Sequence, residues 1–456
     1  MSESRVKLFG TDGVRGEANV HPMTAEMALA LGQAIAFVFR GQGGRDTHRI
    51  LIGKDTRLSG YMFEDALAAG ITTMGVDVIQ VGPMPTPALS FLTTDMRCDA
   101  GVMISASHNQ YRDNGIKFFG QDGFKLADAI EERIEGLVGS DEMRSGLAAS
   151  DELGAARRID DATARYLVNL KNAFPLDCSL NDFKVVLDCA NGAAYKVGPL
   201  VLWELGAEVH SMGIEPNGRN INDGCGSLFP EKLAERVKAQ GAHVGIALDG
   251  DADRVVLVDE EGSILDGDML LALCARDMSS RGMLRGDGVV ATVMSNLGLE
   301  KNLEEQGLHL RRTQVGDRYV VEAMRSHGYN LGGEQSGHLI FLDQSSTGDG
   351  LKSALQVLSV MARTGKKLSD LTRDFQRFPQ ALLGIKVAEK KPIESLPSMQ
   401  KAIAEVESQL GDRGRVLIRY SGTESLARIM VEGESEEDVQ SIAQHLADEL
   451  ARALAA

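Results

Sequence analysis

The sequence predicts an α/β protein in which parallel or mixed sheets are covered by helices. Short apolar runs recur along the 456 residues and stop at small or acidic residues, as Val102–Ile104 does before Ser105 and Val244–Leu248 does before Asp249. Longer stretches with helical spacing, such as Ala25–Phe39, separate these runs. Alternation of this kind is typical of sheets whose ligands bind at the carboxyl ends of strands.

The predicted elements follow in a regular order until Pro379. Strands are predicted at 50–53, 102–104, 185–187, 244–248 and 289–293, and helices at 25–39, 194–205 and 351–361. After Pro379 the order changes to a strand (382–387), a helix (399–410), two strands and a closing helix. Ser435 is the expected N-cap of that last helix, whose apolar face comprises Val439, Ile442, Ala443, Leu446 and Leu450.

Three changes in composition mark the expected joints between domains. Gly139–Asp161 is polar, charged and rich in small residues, as a linker would be, and further joints are expected near Val258–Asp268 and Gln376–Gln380. The length suggests about three domains at roughly 150 residues each. The joints divide the chain further, into four domains at 1–150, 151–258, 259–376 and 377–456.

Charge and cysteine content exclude several classes of protein. The chain has 48 Lys+Arg against 65 Asp+Glu, a net charge of −17, which argues against a general nucleic-acid or anionic-membrane surface. No signal peptide is evident, and no apolar run reaches the roughly 18 residues of a membrane span. Five scattered cysteines without a C-x-x-C pair argue against a disulfide framework or a zinc site. We expect a soluble, cytoplasmic protein with neither nucleic-acid nor membrane partners.

The first candidate site is a serine turn that follows an apolar strand. The turn at 105–109 contains Ser105, Ser107 and His108, and Lys117 follows ten residues after Ser107. A serine at a strand end is held in place, as a nucleophile or phosphate carrier must be. His108 and Lys117 would supply positive charge or a proton relay. An ordinary polar turn is the alternative for a single serine, but the combination favours a functional site.

The second candidate site is a cluster of acids after another apolar strand. Asp249, Asp251 and Asp253 alternate along the chain, and Arg254 follows. Three such carboxylates repel one another unless a cation lies among them. Oxygen ligands favour Mg²⁺ or Ca²⁺ over zinc. The spacing resembles the start of an EF-hand loop, but Arg254 follows at once where that motif requires glycine, and the sequence therefore predicts a different cation site.

Two further loops have the composition of a binding site for a phosphorylated sugar. In the loop 419–424 two hydroxyl residues flank a glycine and Arg428 follows, an arrangement that suits an anion. In the loop 332–338, Glu334 and Ser336 are candidates to bind sugar hydroxyls, and His338 is a candidate acid or base. Arg15, in a Gly-rich turn near the start, would reach a phosphate. No P-loop is present, so ATP is not the implied phosphoryl donor.

These sites together suggest a mutase, which holds one phosphate while the other moves. Five stretches resemble the signatures of the α-D-phosphohexomutase family, in that family's order: FGTDGVRG (9–16), ISASHN (104–109), DGDADR (249–254), GEQSGH (333–338) and RYSGTE (419–424). The residues of these stretches, together with TVMSNLGLE (292–300) and QVGDRYV (314–320), are most similar to those of the family members that act on amino sugars.

The resemblance implies a fold and a reaction. The fold would comprise three related mixed-sheet α/β domains and a smaller α+β C-terminal domain around a central cleft. In chain order they would carry the phosphoserine, bind Mg²⁺, bind the sugar and bind phosphate. The reaction would interconvert glucosamine 6-phosphate and glucosamine 1-phosphate through a bound glucosamine 1,6-bisphosphate, feeding UDP-N-acetylglucosamine synthesis. The family also implies a homodimer.

The resemblance also assigns roles to individual residues. Ser107 would be the phosphoserine, and its phosphate would join Asp249, Asp251 and Asp253 in holding Mg²⁺. Lys117 and His338 would be acid/base groups. The substrate-binding set would comprise Arg15, His108, Arg254, Glu334, Ser336, Arg419, Ser421, Gly422, Thr423 and Arg428, of which the last five would hold the phosphate that is not transferred.

Several alternatives remain open at this point. A phosphoglucomutase or phosphomannomutase would carry much the same residues. Asp249 and Asp251 also have the spacing of the aspartyl pair in haloacid-dehalogenase-like phosphatases, in which case Ser107 would matter little. A sugar-phosphate-binding protein without activity is the non-enzymatic alternative. Ser105 rivals Ser107 as the site of phosphorylation.

Overall fold

The amino-terminal domain is built on a six-stranded mixed sheet. The computed structural model describes residues 7–10, 12–40, 47–387, 389–420 and 426–455. The elements of this domain are β1 (Val14–Glu17), α1 (Ala25–Phe39), β2 (Arg49–Lys54), α2 (Gly60–Thr72), β3 (Asp77–Pro83), α3 (Thr86–Asp95), β4 (Ala100–Ile104), β5 (Asp113–Gly120), α4 (Asp128–Leu137), α5 (Asp141–Ser145) and β6 (Ala156–Arg158). The strand order is β1-β5-β4-β2-β3-β6. β1 and β4 run antiparallel to β5, and the other neighbours are parallel.

The second domain has a five-stranded sheet with the order β11-β10-β9-β7-β8. Its elements are α6 (Ala162–Asn172), β7 (Lys184–Asp188), α7 (Val197–Glu204), β8 (Glu208–Met212), α8 (Glu231–Gln240), β9 (Val244–Leu248), β10 (Val255–Asp259) and β11 (Ile264–Leu265). β7, β8 and β9 are parallel, and β10 is antiparallel to both β9 and β11.

The third domain has a four-stranded sheet with the order β13-β12-β14-β15, and the C-terminal domain has a three-stranded antiparallel sheet with the order β16-β18-β17. The third domain comprises α9 (Gly267–Ser280), β12 (Gly288–Thr292), α10 (Leu297–Glu305), β13 (His309–Thr313), α11 (Asp317–His327), β14 (Leu331–Gly333), β15 (Leu339–Phe341), α12 (Gly350–Thr364) and α13 (Leu368–Thr372). The last domain comprises β16 (Gln380–Lys386), α14 (Pro397–Leu410), β17 (Arg415–Tyr420), β18 (Leu426–Glu432) and α15 (Glu436–Ala455).

The first three sheets repeat one strand pattern. In each, four consecutive strands take the same spatial order: the fourth, third, first and second along the chain, as in β5-β4-β2-β3, β10-β9-β7-β8 and β15-β14-β12-β13. The first three strands of each set are parallel, and the fourth returns antiparallel to the third. The hairpin turns that join third and fourth strands are therefore equivalent, and they fall at 105–112, 249–254 and 334–338. These turns contain the serine, acidic and glycine-rich motifs.

One large apolar cluster connects the three α/β domains, whereas the C-terminal domain has its own. Buried residues of the second and third domains form one cluster, to which α3 of the first domain contributes Leu89 and Leu92. The remaining core of the first domain lies around α1 and α2. The C-terminal cluster includes Val439 and Leu446 of α15. The N–H of Asp438 donates to Ser435 Oγ at 3.3 Å, which confirms the expected cap.

The segment expected to be a linker, Gly139–Asp161, contains a helix and a strand instead. α5 lies within it, and β6 pairs in parallel with β3 at the edge of the first sheet. All three residues of β6 are exposed. An edge strand is held by backbone hydrogen bonds and needs no apolar side chain, so its composition resembled that of a linker. The helix expected over 194–205 is shorter and begins at Val197. Within the described part of the chain, no helix is long and apolar enough to cross a membrane.

Candidate active site

Ser107 occupies the turn between β4 and β5 in a strained conformation. The side chain is buried, and the backbone φ of 51° is left-handed, which is unusual for a residue other than glycine. Ser107 Oγ donates a hydrogen bond to Asp249 Oδ2 at 2.6 Å, and the Ser107 N–H donates to Ser105 Oγ at 2.9 Å. The serine turn of the first domain therefore touches the acidic turn of the second.

Groups from two domains hold the serine turn in place. Arg57, which is fully buried, donates to the carbonyl oxygens of Ser107 at 2.9 Å and Asn109 at 2.8 Å. Asn222 of the second domain donates to the same two oxygens, both at 2.9 Å. Ser105 Oγ donates to Asp55 Oδ2 at 2.6 Å. Ser105 is thus used to support the turn, while Ser107 faces the acids.

The three aspartates of the acidic turn converge as a cation site requires. All three are buried, and one carboxylate oxygen of each lies within 4.8 Å of the others. Oδ1 of Asp251 and Oδ1 of Asp253 are buried without a hydrogen-bond partner among the described residues. Burial, followed by the charges of Asp253 and Asp251, raises the pKa of Asp249 well above its usual value. Free oxygens and mutual repulsion of this kind fit a hard divalent cation such as Mg²⁺.

Lys117, on β5 of the first domain, also contacts the acidic turn. Lys117 Nζ is 3.0 Å from Asp251 Oδ2, 3.2 Å from Asp12 Oδ2 and 3.7 Å from Asp253 Oδ2. Burial alone would lower the pKa of Lys117, but the surrounding carboxylates raise it above the usual lysine value. Thr86 Oγ1 also donates to Asp251 Oδ2, at 2.6 Å. The first domain therefore contributes a cation and a hydroxyl to the acidic cluster.

His338 brings the third domain into the same site. Its Nδ1 lies 3.6 Å from Asp253 Oδ2, and its Nε2 lies 3.5 Å from Asp317 Oδ2. The Gly348 N–H donates to Nε2 at 3.0 Å, so that nitrogen accepts and Nδ1 carries the proton of the neutral ring. Burial opposes protonation, but Asp253 and then Asp317 raise the pKa of His338. In this geometry both ring nitrogens face protein groups.

A cleft of about 730 Å³ is lined by Asp253, Asp317 and His338 of this site, and its size suits a phosphorylated sugar. Arg15, Arg254 and Glu334 line it, as expected. Arg254 Nε is buried without a hydrogen-bond partner among the described residues, which leaves a donor for an anion. Glu334 Oε1 accepts from the Gly316 N–H at 3.2 Å. Ser336 is exposed, with its Oγ 3.5 Å from Glu334 Oε2.

His108 and the C-terminal arginines complete the expected set. His108 Nδ1 lies 3.4 Å from Ser107 Oγ, and burial with the charges of Arg254 and Arg15 lowers its pKa to about 4. Arg419 and Arg428 stand opposite each other on β17 and β18. Burial, and then the like charge of Arg428, lowers the pKa of Arg419. The remaining members of the expected anion loop, Ser421, Gly422 and Thr423, lie outside the described residues.

Comparison with known protein families agrees with this architecture. Residues 6–145, 164–262 and 266–378 match the alpha/beta/alpha domains I, II and III of phosphoglucomutase/phosphomannomutase, and residues 382–449 match its C-terminal domain. The chain belongs to the phosphoglucomutase/phosphomannomutase family. The alternative based on haloacid-dehalogenase-like phosphatases is therefore wrong, and the expected fold of three related α/β domains with a smaller fourth is confirmed.

Individual members of the phosphoglucomutase/phosphomannomutase family extend the comparison. The phosphoglucosamine mutase of Syntrophotalea carbinolica is 58% identical over 448 residues, 98% of each chain. A family member of known structure from Burkholderia thailandensis superposes with a TM-score of 0.80 at 24% identity, covering 98% of this chain and 97% of that one. An Aspergillus fumigatus N-acetylphosphoglucosamine mutase, solved with GlcNAc-6P and magnesium, gives a TM-score of 0.67 at 18% identity over 99% and 96% of the two chains.

Several residues of the site were not singled out from the sequence. Asp55 and Arg57 follow the carboxyl end of β2, a strand parallel to β4, and the carboxyl ends of neighbouring parallel strands meet. That rule was enough to find them. Asp317 lies in the QVGDRYV stretch and bridges to Lys125 Nζ at 2.7 Å, joining the third domain to the first. Asn222 lies in a long loop with no sequence pattern, and nothing local marks it.

Proposed function

We propose that this family member interconverts glucosamine 6-phosphate and glucosamine 1-phosphate, with Ser107 as the residue that carries the transferred phosphoryl group. The contact between Ser107 Oγ and Asp249 Oδ2, at 2.6 Å, is the observation that supports it most directly. It brings a nucleophilic oxygen against the three-aspartate cluster. Ser105 makes no such contact among the described residues, since its Oγ is engaged by Asp55 and by the Ser107 N–H.

Mg²⁺ is the cofactor that the cluster fits, held by Asp249, Asp251, Asp253 and a phosphate oxygen on Ser107. Bound there, it would neutralise charge on the phosphoryl group. Lys117 contributes further positive charge from the first domain. Arg254, whose Nε has no hydrogen-bond partner among the described residues, and Arg15 orient the phosphoryl group from the cleft side.

The reaction consists of two transfers in opposite directions. In the first, the bond between phosphorus and Ser107 Oγ breaks and a sugar hydroxyl oxygen bonds to phosphorus. The hydroxyl proton passes to a base, and an acid returns a proton to Ser107 Oγ. Lys117 and His338 are the proposed acid/base groups. The glucosamine 1,6-bisphosphate then turns over in the cleft, and its other phosphoryl group returns to Ser107 Oγ. His108, Glu334 and Ser336 bind and orient the sugar.

The phosphate that is not transferred is assigned to the C-terminal domain. Arg419 and Arg428 face each other across paired strands, which suits a dianion. Ser421, Gly422 and Thr423 would add backbone and hydroxyl donors to these two arginines. We also propose that the boundaries between the four domains lie at residues 150, 258 and 376.

The amino sugar is chosen over glucose and mannose because highly identical relatives are named phosphoglucosamine mutase. The proposal places the reaction in the cytoplasm, in a homodimer, upstream of UDP-N-acetylglucosamine synthesis. The hexose mutases remain the second candidate.

³¹P NMR of product formation tests the function. The protein, Mg²⁺ and a trace of sugar bisphosphate are incubated with glucosamine 6-phosphate and, in parallel, with glucose 6-phosphate and mannose 6-phosphate. We expect the amino sugar to form its 1-phosphate fastest. Equal or faster conversion of the neutral sugars would assign a hexose mutase, and release of inorganic phosphate alone would contradict the mutase mechanism.

A further inference from the structure

A buried glutamate joins the C-terminal domain to the third domain. Glu432, the last residue of β18, is 0% exposed. Each of its carboxylate oxygens accepts a hydrogen bond from both domains. Oε1 accepts from Asn296 Nδ2 at 3.2 Å and from Gln380 Nε2 at 2.8 Å. Oε2 accepts from the Leu297 N–H at 3.2 Å and from Arg415 Nε. The carboxylate is therefore shared equally between the two domains.

The residues that contact Glu432 make further hydrogen bonds between the third and C-terminal domains. We call this network of polar contacts the joint between the two domains. Arg415 Nη1 donates to the carbonyl oxygen of Val293 at 3.0 Å, and Arg415 Nη2 donates to that of Ser295 at 2.6 Å. Asn296 exchanges two hydrogen bonds of 3.0 Å with the backbone of Phe378. Leu297 begins α10, and the exposed N–H groups of a helix start favour a carboxylate. A buried charge satisfied in this way costs much to disturb.

The same sheet face carries the proposed phosphate-binding arginines. Arg415 pairs with Glu432 in the β17–β18 register, and Arg419 pairs with Arg428. Residues four apart on a strand point to the same face, about 13 Å from one another. The joint and the arginine pair are therefore two ends of one rigid face. Met294, beside the joint, also has its Sδ 3.9 Å from Arg419 Nη2.

The contact between the third and C-terminal domains depends on polar groups rather than on a shared apolar core. Among the described residues, the buried apolar cluster of the C-terminal domain is separate from the one that includes the third domain. Two domains without a common core are free to rotate unless specific contacts fix them. The polar network around Glu432 supplies such contacts.

We propose that Glu432 is a positioning residue, which with Arg415 and Asn296 fixes the orientation of the C-terminal sheet and so holds Arg419 and Arg428 where they meet the substrate phosphate. The inference rests on the proposed function. A loosened joint lowers the fraction of molecules competent to bind, and the apparent dissociation constant rises by the inverse of that fraction. Bound substrate restores the correct orientation, so turnover at saturation changes little.

Steady-state kinetics and hydrogen exchange of Glu432→Gln test the inference. Gln keeps the shape of the side chain but removes the charge and one acceptor. We expect KM for glucosamine 6-phosphate to rise about tenfold with kcat within about twofold. Exchange should accelerate in the 293–299 segment while the interior of β16–β18 stays protected. Glu64→Gln is the matched control, because Glu64 forms a buried ion pair with Lys54 inside the first domain. It should leave KM unchanged.

An unchanged KM in Glu432→Gln, with faster exchange at 293–299, would overturn the inference. A fall in kcat without a rise in KM would do the same. If β16–β18 themselves lose protection, Arg415→Lys replaces the first variant, and the same rise in KM is expected. A lysine lacks the planar guanidinium that donates to Glu432 and to the Val293 and Ser295 carbonyls at the same time. Failure of the proposed function is a separate result, because the unmodified protein would then not interconvert the sugar phosphates at all.

Discussion

Backbone strain and unpartnered polar atoms mark the residues that we assign to chemistry. Ser107 has a φ of 51°, and Ala252, within the acidic turn, has a φ of 56°. Both cost free energy that surrounding contacts must offset, and such residues concentrate at functional sites. The free carboxylate oxygens of Asp251 and Asp253 lie in the same place. Strain and unsatisfied acceptors therefore coincide at one point where the first and second domains meet.

Asp251→Asn should weaken Mg²⁺ binding. The substitution removes one of three negative ligands but keeps an oxygen that Thr86 and Lys117 can still contact. Because loss of even an indirect supporting group costs about 10–100-fold in metal affinity, we expect at least a tenfold higher dissociation constant in a calorimetric titration with Mg²⁺.

Asp317→Asn is the control for this titration. Asp317 lines the same cleft but lies outside the three-aspartate cluster. The Mg²⁺ affinity of the Asp317→Asn variant should match that of the unmodified protein. Equal weakening in both variants would mean that general negative charge, rather than the cluster, attracts the cation.

At the level of helices and strands, the sequence predicted the elements whose apolar residues follow a regular spacing. The spacing of apolar residues placed α1 at its observed bounds, and the face of α15 is buried as expected. Strand ends followed by polar residues located the serine and acidic turns, and the glycine-rich composition of 332–338 located the third turn. β6 was not predicted because an edge strand carries no apolar pattern, and Arg57 was not predicted because it lies beyond the apolar run of β2.

A buried acid at the start of α9 gives the domain a pH-dependent stability. Burial, and then the charge of Asp266, raises the pKa of Asp268 to about 7, although the Asn296 N–H donates to its Oδ2 at 2.8 Å. An unfolded aspartate has a pKa of about 3.9. The folded state therefore binds the proton more tightly, and the free energy of unfolding falls as pH rises from about 4 to about 7.

Asp268→Asn should remove this contribution. Between those pH values the free energy of unfolding of the variant should fall less steeply than that of the unmodified protein, by up to about 1.4 kcal/mol per pH unit. Urea unfolding at a series of pH values measures the slopes. Asp412→Asn, which removes an exposed carboxylate, is the control for lost charge and should keep the original slope. Parallel slopes in all three proteins would exclude Asp268 as the cause.

For the whole molecule, the repeat of one strand order in three domains explains how the site is assembled. Each domain contributes the turn between its third and fourth strands, and the three turns meet through the Ser107–Asp249 and Asp253–His338 contacts. The sequence identified the motifs and, through the family resemblance, their common cleft. It did not identify the groups that join domains, such as Asn222, Lys125 and Glu432. Each of these residues is 100 or more positions from its partners in the other domain, and no local pattern reports such contacts.

The central claim is that Ser107, and not Ser105 or Asp249, carries the phosphoryl group. Fragmentation mass spectrometry of two tryptic peptides, 98–112 and 239–254, tests it, after incubation of the protein with Mg²⁺ and a sugar 1,6-bisphosphate. The first peptide contains both serines, and the second contains Asp249. The account predicts one phosphate, located on Ser107, and no turnover by Ser107→Ala, whereas Ser105→Ala still carries the phosphate. A phosphate on Ser105, a phosphoaspartate at Asp249, or turnover by Ser107→Ala would contradict it.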